Sequence, residues 1–182
     1  MQTSVTVAVR VRPLSSRERQ EGDEECLEFH ENQISLNGKS FTYDKVFREI
    51  AAQEEVFKES IEPLVAKFLE GYNSSILAYG QTGSGKTYTM GTGIDGNLNT
   101  FSQGILPRTL KMLFDQIEGC QDDFEMFVSF IEIYNEDIID LLSPKMIQNN
   151  KIPLVIRQDS NGEVYLAGVT EEKVFSIDEV FE

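Results

Sequence analysis

Apolar and polar positions alternate with period two from Ser4 to Arg12, with Val5, Val7, Val9 and Val11 on one side. The run stops at Pro13, which predicts a strand over 4–12. Ile34-Ser35-Leu36 and Lys39 to Tyr43 flank Asn37-Gly38, a pair that supplies the positive φ angles of a tight hairpin turn. Val56, Phe57, Ile61, Leu64, Val65, Phe68 and Leu69 recur at helical spacing, predicting a helix over 51–69 that Pro63 kinks and Gly71 ends. Ser75 to Tyr79 reads as a short buried strand, and Lys86 to Met90 opens a helix that Gly91 to Asn97 breaks off. Helical spacing returns at Ile105 and continues to Ile117, with Pro107 in the first turn. Phe124 to Tyr134 predicts a long strand and Asn135 to Leu142 a short helix. Residues 154–157 and 164–166 predict a second hairpin around Asp159-Ser160-Asn161-Gly162. Ser176-Ile177-Asp178-Glu179 is a capping box that announces a last helix. Strands and helices in turn predict an α/β domain.

Composition narrows the classes. The 182 residues suit one domain, and 40% hydrophobic content is that of an ordinary globular chain. No apolar run is long enough to cross a membrane, and Met1-Gln2-Thr3-Ser4 lacks the features of a signal peptide. Cys26 and Cys120 are far apart and have no metal spacing, which reads as reduced thiols, and His30 reads as a surface histidine. A net charge of −15 argues against nucleic acid or anionic membrane as a partner. The acidic run from Glu18 to Glu25 reads as solvated loop surface.

The chemistry concentrates in Gly80-Gln81-Thr82-Gly83-Ser84-Gly85-Lys86-Thr87, which fits G-x-x-x-x-G-K-[ST] at every fixed position. Its glycines let successive N–H groups turn toward one phosphate chain, and the helix that follows adds partial positive charge. Lys86 then reaches the β- and γ-phosphates as a point charge, and the Thr87 hydroxyl takes one Mg²⁺ position. The expected cofactors are ATP or ADP with Mg²⁺.

Taken together, the segments resemble a kinesin motor domain from about Val5 to the last residue. Arg10-Val11-Arg12-Pro13 is similar to the family's adenine-contacting motif, and Phe41 to Phe47 to the signature after its first hairpin. Gly71 to Met90 is nearly diagnostic, 91–104 falls where the family's loop 5 lies, and Ile131 to Glu136 is similar to a further signature. The wording leans toward the kinesin-4, chromokinesin-like branch. The resemblance implies a three-layer α/β/α P-loop fold in which adenine sits among Arg10, Pro13 and Tyr88, with stacking but no base-edge hydrogen bonds. It makes Glu132 structural rather than a Walker-B acid.

The same resemblance shows what these residues lack. Kinesins position water and sense the γ-phosphate with an Asn-x-x-Ser-Ser-Arg-Ser-His and an Asp-Leu-Ala-Gly segment, and neither occurs in the sequence. Residues 1–182 therefore read as the N-terminal part of a motor, with no catalytic switch residue and an incomplete central sheet. The strand at 76–79 is expected to have unpaired edges. The 154–166 hairpin corresponds to an element that touches tubulin, where Arg157 is a weak contact candidate beside a turn carrying Ser160, Gly162 and Glu163. The leading expectation is the ATP-binding part of a cytoplasmic, cytoskeletal microtubule motor, with spindle association open. The alternatives are a non-catalytic nucleotide-binding or interaction fragment, and another P-loop phosphotransferase or NTPase.

Overall fold

The computed structural model describes residues 5–91, 103–118, 124–144 and 153–181. The chain divides into two compact units, Met1–Leu113 and Phe114–Glu182. Most of the predicted insertion, and Cys120, lie outside the described residues.

In the first unit, β1 (Ala8–Arg10) pairs in parallel with β5 (Lys45–Phe47). Between them come α1 (Ser16–Glu21) and the antiparallel strands β2 (Glu28–His30), β3 (Gln33–Leu36) and β4 (Lys39–Thr42). The β3–β4 turn is the expected Asn37-Gly38, both at positive φ. The acidic run expected as loop is partly helical, because Ser15 and Glu18 cap α1 reciprocally: Ser15 Oγ accepts the Glu18 N–H and Glu18 accepts the Ser15 N–H.

The 51–69 helix is three pieces: α2 (Gln53–Val56), a π-helical turn (Phe57–Ile61) and α3 (Glu62–Leu69). The π turn ends just before Pro63, whose missing N–H and ring conflict with continuous i→i−4 bonding. Phe57, Ile61 and Val65 bury one face of this helix against Ile105 of α5 (Ile105–Glu118), with Met90, Met112 and Leu113 packed around them. Each fully buried side chain of this kind contributes about 1.5–3 kcal/mol. Phe47, Ala51 and Val56 form a second cluster under β5.

The segment expected as a buried strand at 75–79 has no assigned secondary structure and joins no ladder among the described residues. Leu77 is 89% and Tyr79 95% exposed. A cavity of about 260 Å³ is lined by this segment together with Thr6 and, from β1, Ala8 and Arg10. The Ser60 Oγ at its wall is buried without a hydrogen-bond partner. The strand pattern is present, but among the described residues no neighbouring strand supplies ladder partners or cover, so Leu77 and Tyr79 stand in solvent.

In the second unit, the strand expected over 124–134 is broken into β6 (Met126–Val128) and β7 (Ile131–Tyr134). The expected helix at 135–142 is instead β8 (Asp137–Asp140), folded antiparallel onto β7. Asn135 and Glu136 make that turn with φ of 49° and 72°. Neither is glycine, so the turn is hidden in the sequence, while Ile138, Ile139, Leu141 and Leu142 mimic helical spacing. The expected hairpin forms from β9 (Val155–Gln158) and β10 (Val164–Ala167), and β11 (Glu172–Val174) pairs with β6. Both roots of the β9–β10 hairpin attach to β8. The Leu154 N–H donates to the Ile138 carbonyl (2.7 Å), and Thr170 donates to Asp140 from its N–H and hydroxyl (2.8 and 2.6 Å). The last helix, α6 (Ile177–Phe181), is capped by Ser176 as expected, although Glu179 reaches back to the N–H of Phe175. Among the described residues the strands form ladders of two or three, and no continuous central sheet.

Candidate nucleotide site

The loop from Gly80 to Gly85 leads directly into α4 (Lys86–Met90). Gly83 and Gly85 take φ of 81° and 96°, values that L side chains rarely adopt. A Cβ on Gly80 would lie 2.5 Å from Ser84 Oγ and 3.2 Å from its Cβ, so the loop closes on itself only with glycine there. Lys86 Nζ donates to the carbonyls of Gly80 (2.7 Å) and Gln81 (2.9 Å), which holds the ammonium against the loop and leaves one of its three donors for a phosphate oxygen. Thr87 is exposed in the first helical turn. Because α4 has five residues, few peptide dipoles align behind the loop, and the ammonium and backbone N–H groups carry the positive potential.

Arg10, Arg12, Pro13, Ser84, Gly85 and Tyr88 line one cavity of about 100 Å³ beside the loop, together with Val11, Glu49, Ala51 and Thr89. Strand β1 delivers Arg10 to this cavity and α4 delivers Tyr88. The Arg10 guanidinium lies over the Tyr88 ring, 5.1 Å from its centroid. A base inserted between the two would need about 7 Å, twice a van der Waals contact. The space between the two members of this stacked pair is therefore too narrow for a planar ring, and the open volume of the cavity lies beside them.

The N–H groups of both arginines are largely engaged within the protein. Arg10 donates to Gln53 Oε1 (2.7 Å), Thr89 Oγ1 (3.2 Å) and the Ala51 carbonyl (3.1 Å). Burial lowers its pKa from the ordinary arginine value, against opposing contributions from Tyr88 and Glu55, but an arginine stays protonated at neutral pH. Arg12 makes a two-pronged pair with Glu18 and also donates to the Pro13 carbonyl at 3.0 Å. Hydrogen bonding to Arg12 and to Ser15 holds the Glu18 carboxyl far below the usual carboxylate range, and Arg12 is raised in turn. With these donors occupied, the cavity wall presents the faces of Tyr88 and Pro13 and few free hydrogen-bonding edges from the two arginines.

Gln53 is a site residue that the sequence pattern did not reveal, since its position reads as the polar side of a helix. It is 3% exposed and bridges Arg10 to the Tyr88 carbonyl, to which its Nε2 donates at 2.6 Å. Arg157 belongs to the second unit, exposed on β9 opposite Tyr165. The turn beside it is ordered by Asp159, whose Oδ1 accepts the N–H groups of Asn161 (2.8 Å) and Glu163 (2.9 Å). Among the described residues no helix is long and apolar enough to cross a membrane, and no three His, Cys, Asp or Glu side chains cluster as a metal site.

Comparison with known proteins converges on one family. The family model of the kinesin motor domain matches residues 10–182. Kinesin-related protein 8 of Dictyostelium discoideum is 42% identical over 94% of this chain, and the human chromosome-associated kinesin KIF4B is 44% identical over 93%. The chain spans 9% and 14% of the length of those two relatives. A solved structure of a fast kinesin superposes with a TM-score of 0.86 at 35% identity, covering 98% of this chain and 50% of the other.

Proposed function

The chain belongs to the kinesin motor-domain family, and from that premise we propose that it is the ATP-binding part of a microtubule motor. The observation that carries this reading is the junction of the two halves of a nucleotide site in one unit: a phosphate loop closed by Lys86, and a base pocket flanked by Arg10, Pro13 and Tyr88. Backbone N–H groups of 80–85 and the Lys86 ammonium bind the phosphates. Gln81, Thr82 and Ser84 supply the loop between the glycines, and Arg12, paired to Glu18, backs the pocket wall. A Mg²⁺ ion held mainly by phosphate oxygens and water needs only one or two protein oxygens, and the exposed Thr87 hydroxyl fits as one. Held there, such an ion would supply neutralisation of phosphate charge.

These residues hold and orient nucleotide but contain no group that positions an attacking water, so turnover requires residues other than these 182. The partner of the complete motor is the microtubule, with Arg157 as a weak contact on the hairpin, and the site of action is the cytoskeleton. Neither a nucleic acid nor a membrane is a partner of this acidic segment.

Calorimetric titration of Mg²⁺·ADP into the chain, beside Lys86→Ala, tests the reading. Saturable binding is expected, with loss of the ammonium weakening it about thirtyfold or more, as for removal of a charged hydrogen bond. Equal heats from both proteins, or none from either, would overturn it.

A further inference from the structure

We propose that Gln53 is the positioning residue of the base pocket: one buried side-chain amide that fixes the Arg10 wall and the Tyr88 wall relative to each other. This rests on the reading of the 100 Å³ cavity as the base site. Arg10 ends a strand and Tyr88 sits in the helix after the phosphate loop, so neither element alone sets their separation. Gln53 Oε1 accepts from Arg10 Nη1 at 2.7 Å, and Gln53 Nε2 donates to the Tyr88 carbonyl at 2.6 Å. An arginine only donates and a carbonyl only accepts, so the amide has one workable orientation and serves both walls at once.

Two further contacts close the ring. Arg10 also donates to Thr89 Oγ1, one residue past Tyr88, and to the Ala51 carbonyl, two residues before Gln53. The start of α2, the end of β1 and α4 are thereby tied by Arg10 and Gln53 together, and Gln53, 3% exposed, is the member that reaches the Tyr88 backbone. No other residue type does this in place. Glutamate keeps the acceptor for Arg10 but loses the donor for Tyr88, asparagine is shorter by one carbon, and leucine removes both bonds, leaving Arg10 only its contacts to Thr89 and Ala51.

The test separates the base from the phosphates. Binding of Mg²⁺·ADP and of Mg²⁺·tripolyphosphate, which needs only the phosphate loop, is measured for the full chain, Gln53→Leu and Gln53→Glu. Gln53→Leu is expected to weaken ADP about tenfold, in line with two lost hydrogen bonds, while tripolyphosphate affinity stays within about twofold. Gln53→Glu, with the Arg10 contact retained, falls between. An unchanged ADP-to-tripolyphosphate ratio in either variant overturns the assignment, as does a parallel loss of both ligands in Gln53→Glu, which marks a general scaffold residue. Should wild type bind ADP no better than tripolyphosphate, the base pocket itself is refuted and the role of Gln53 falls with it.

Discussion

Gly91 and Gly104 press backbone against backbone: a Cβ on Gly91 would come 2.3 Å from the Gly104 nitrogen, and one on Gly104 2.4 Å from the Gly91 nitrogen. The chain leaves α4 at one glycine and enters α5 immediately after the other, so this contact closes the base of the insertion that interrupts the helix. No side-chain rotation relieves it, because the opposing atoms are main chain. Gly104→Ala should destabilise the chain by about 1–3 kcal/mol through overpacking. Gly91→Ala adds strain of about 1–2 kcal/mol, since its φ is 72°. Urea denaturation of the two variants against wild type checks both the size and the order. Stability equal to wild type for Gly104→Ala would mean that the backbone at Gly91 and Gly104 separates freely.

The Arg12–Glu18 pair gives a second expectation. Glu18 caps α1 and at the same time holds Arg12 along the base pocket, yet both side chains remain partly open to solvent. An exposed ion pair is screened by salt and contributes little by itself. Glu18→Ala is therefore expected to weaken Mg²⁺·ADP about two- to fivefold at low ionic strength, and less at 0.5 M salt. A salt-independent loss would show that Glu18 acts by packing or capping rather than by holding the guanidinium.

How far the sequence revealed these features depended on whether a local signal and the tertiary setting agreed. Asn37-Gly38 announces its hairpin because Gly38 removes the steric barrier to positive φ. Asn135-Glu136 makes an equivalent turn from residues that do not advertise it, and 135–142 was accordingly expected as helix. The phosphate loop is legible because its chemistry demands glycines at fixed spacing. Gln53 is not, since its importance arises only when β1, α2 and α4 meet, and no spacing along the chain records that. At Ser75 to Tyr79 the apolar pattern predicts a buried strand, whereas the segment is outside every ladder among the described residues and Leu77 and Tyr79 are exposed, because burial depends on neighbours that a local pattern does not record.

Asp140 leads to a pH-dependent prediction. It is 5% exposed and accepts from the Thr170 N–H and hydroxyl and from the Leu142 N–H. Burial alone would raise its pKa, but these donors, with the Ser143 N–H, outweigh it and hold the carboxyl below its ordinary value. A depressed folded value means the stabilisation is fully present above the unfolded carboxylate pKa of about 3.9 and fades as pH falls through the lower folded one. Thr170→Val should thus lose about 1–2 kcal/mol at pH 7, and the gap to wild type should narrow below about pH 4. Urea unfolding at pH 7 and pH 3 measures it. A gap that is constant with pH would mean that the threonine stabilises through its own packing, and that the Asp140 charge is irrelevant.

The bare strand segment governs how the isolated chain behaves in solution. Residues 73–80 have no ladder partner among the described residues, and Leu77 and Tyr79 stand almost wholly in solvent. Unpaired N–H and C=O groups beside exposed apolar side chains template pairing with another copy, and lysine on such an edge is a common protection. The 182-residue chain is therefore expected to self-associate with rising concentration. Leu77→Lys combined with Tyr79→Lys should suppress association, because neither side chain contributes packing that the charge would disrupt. Sedimentation velocity over a wide concentration range decides the matter. A monomeric wild type, or association indifferent to the two lysines, would show that the segment is covered in solution or that another surface drives assembly.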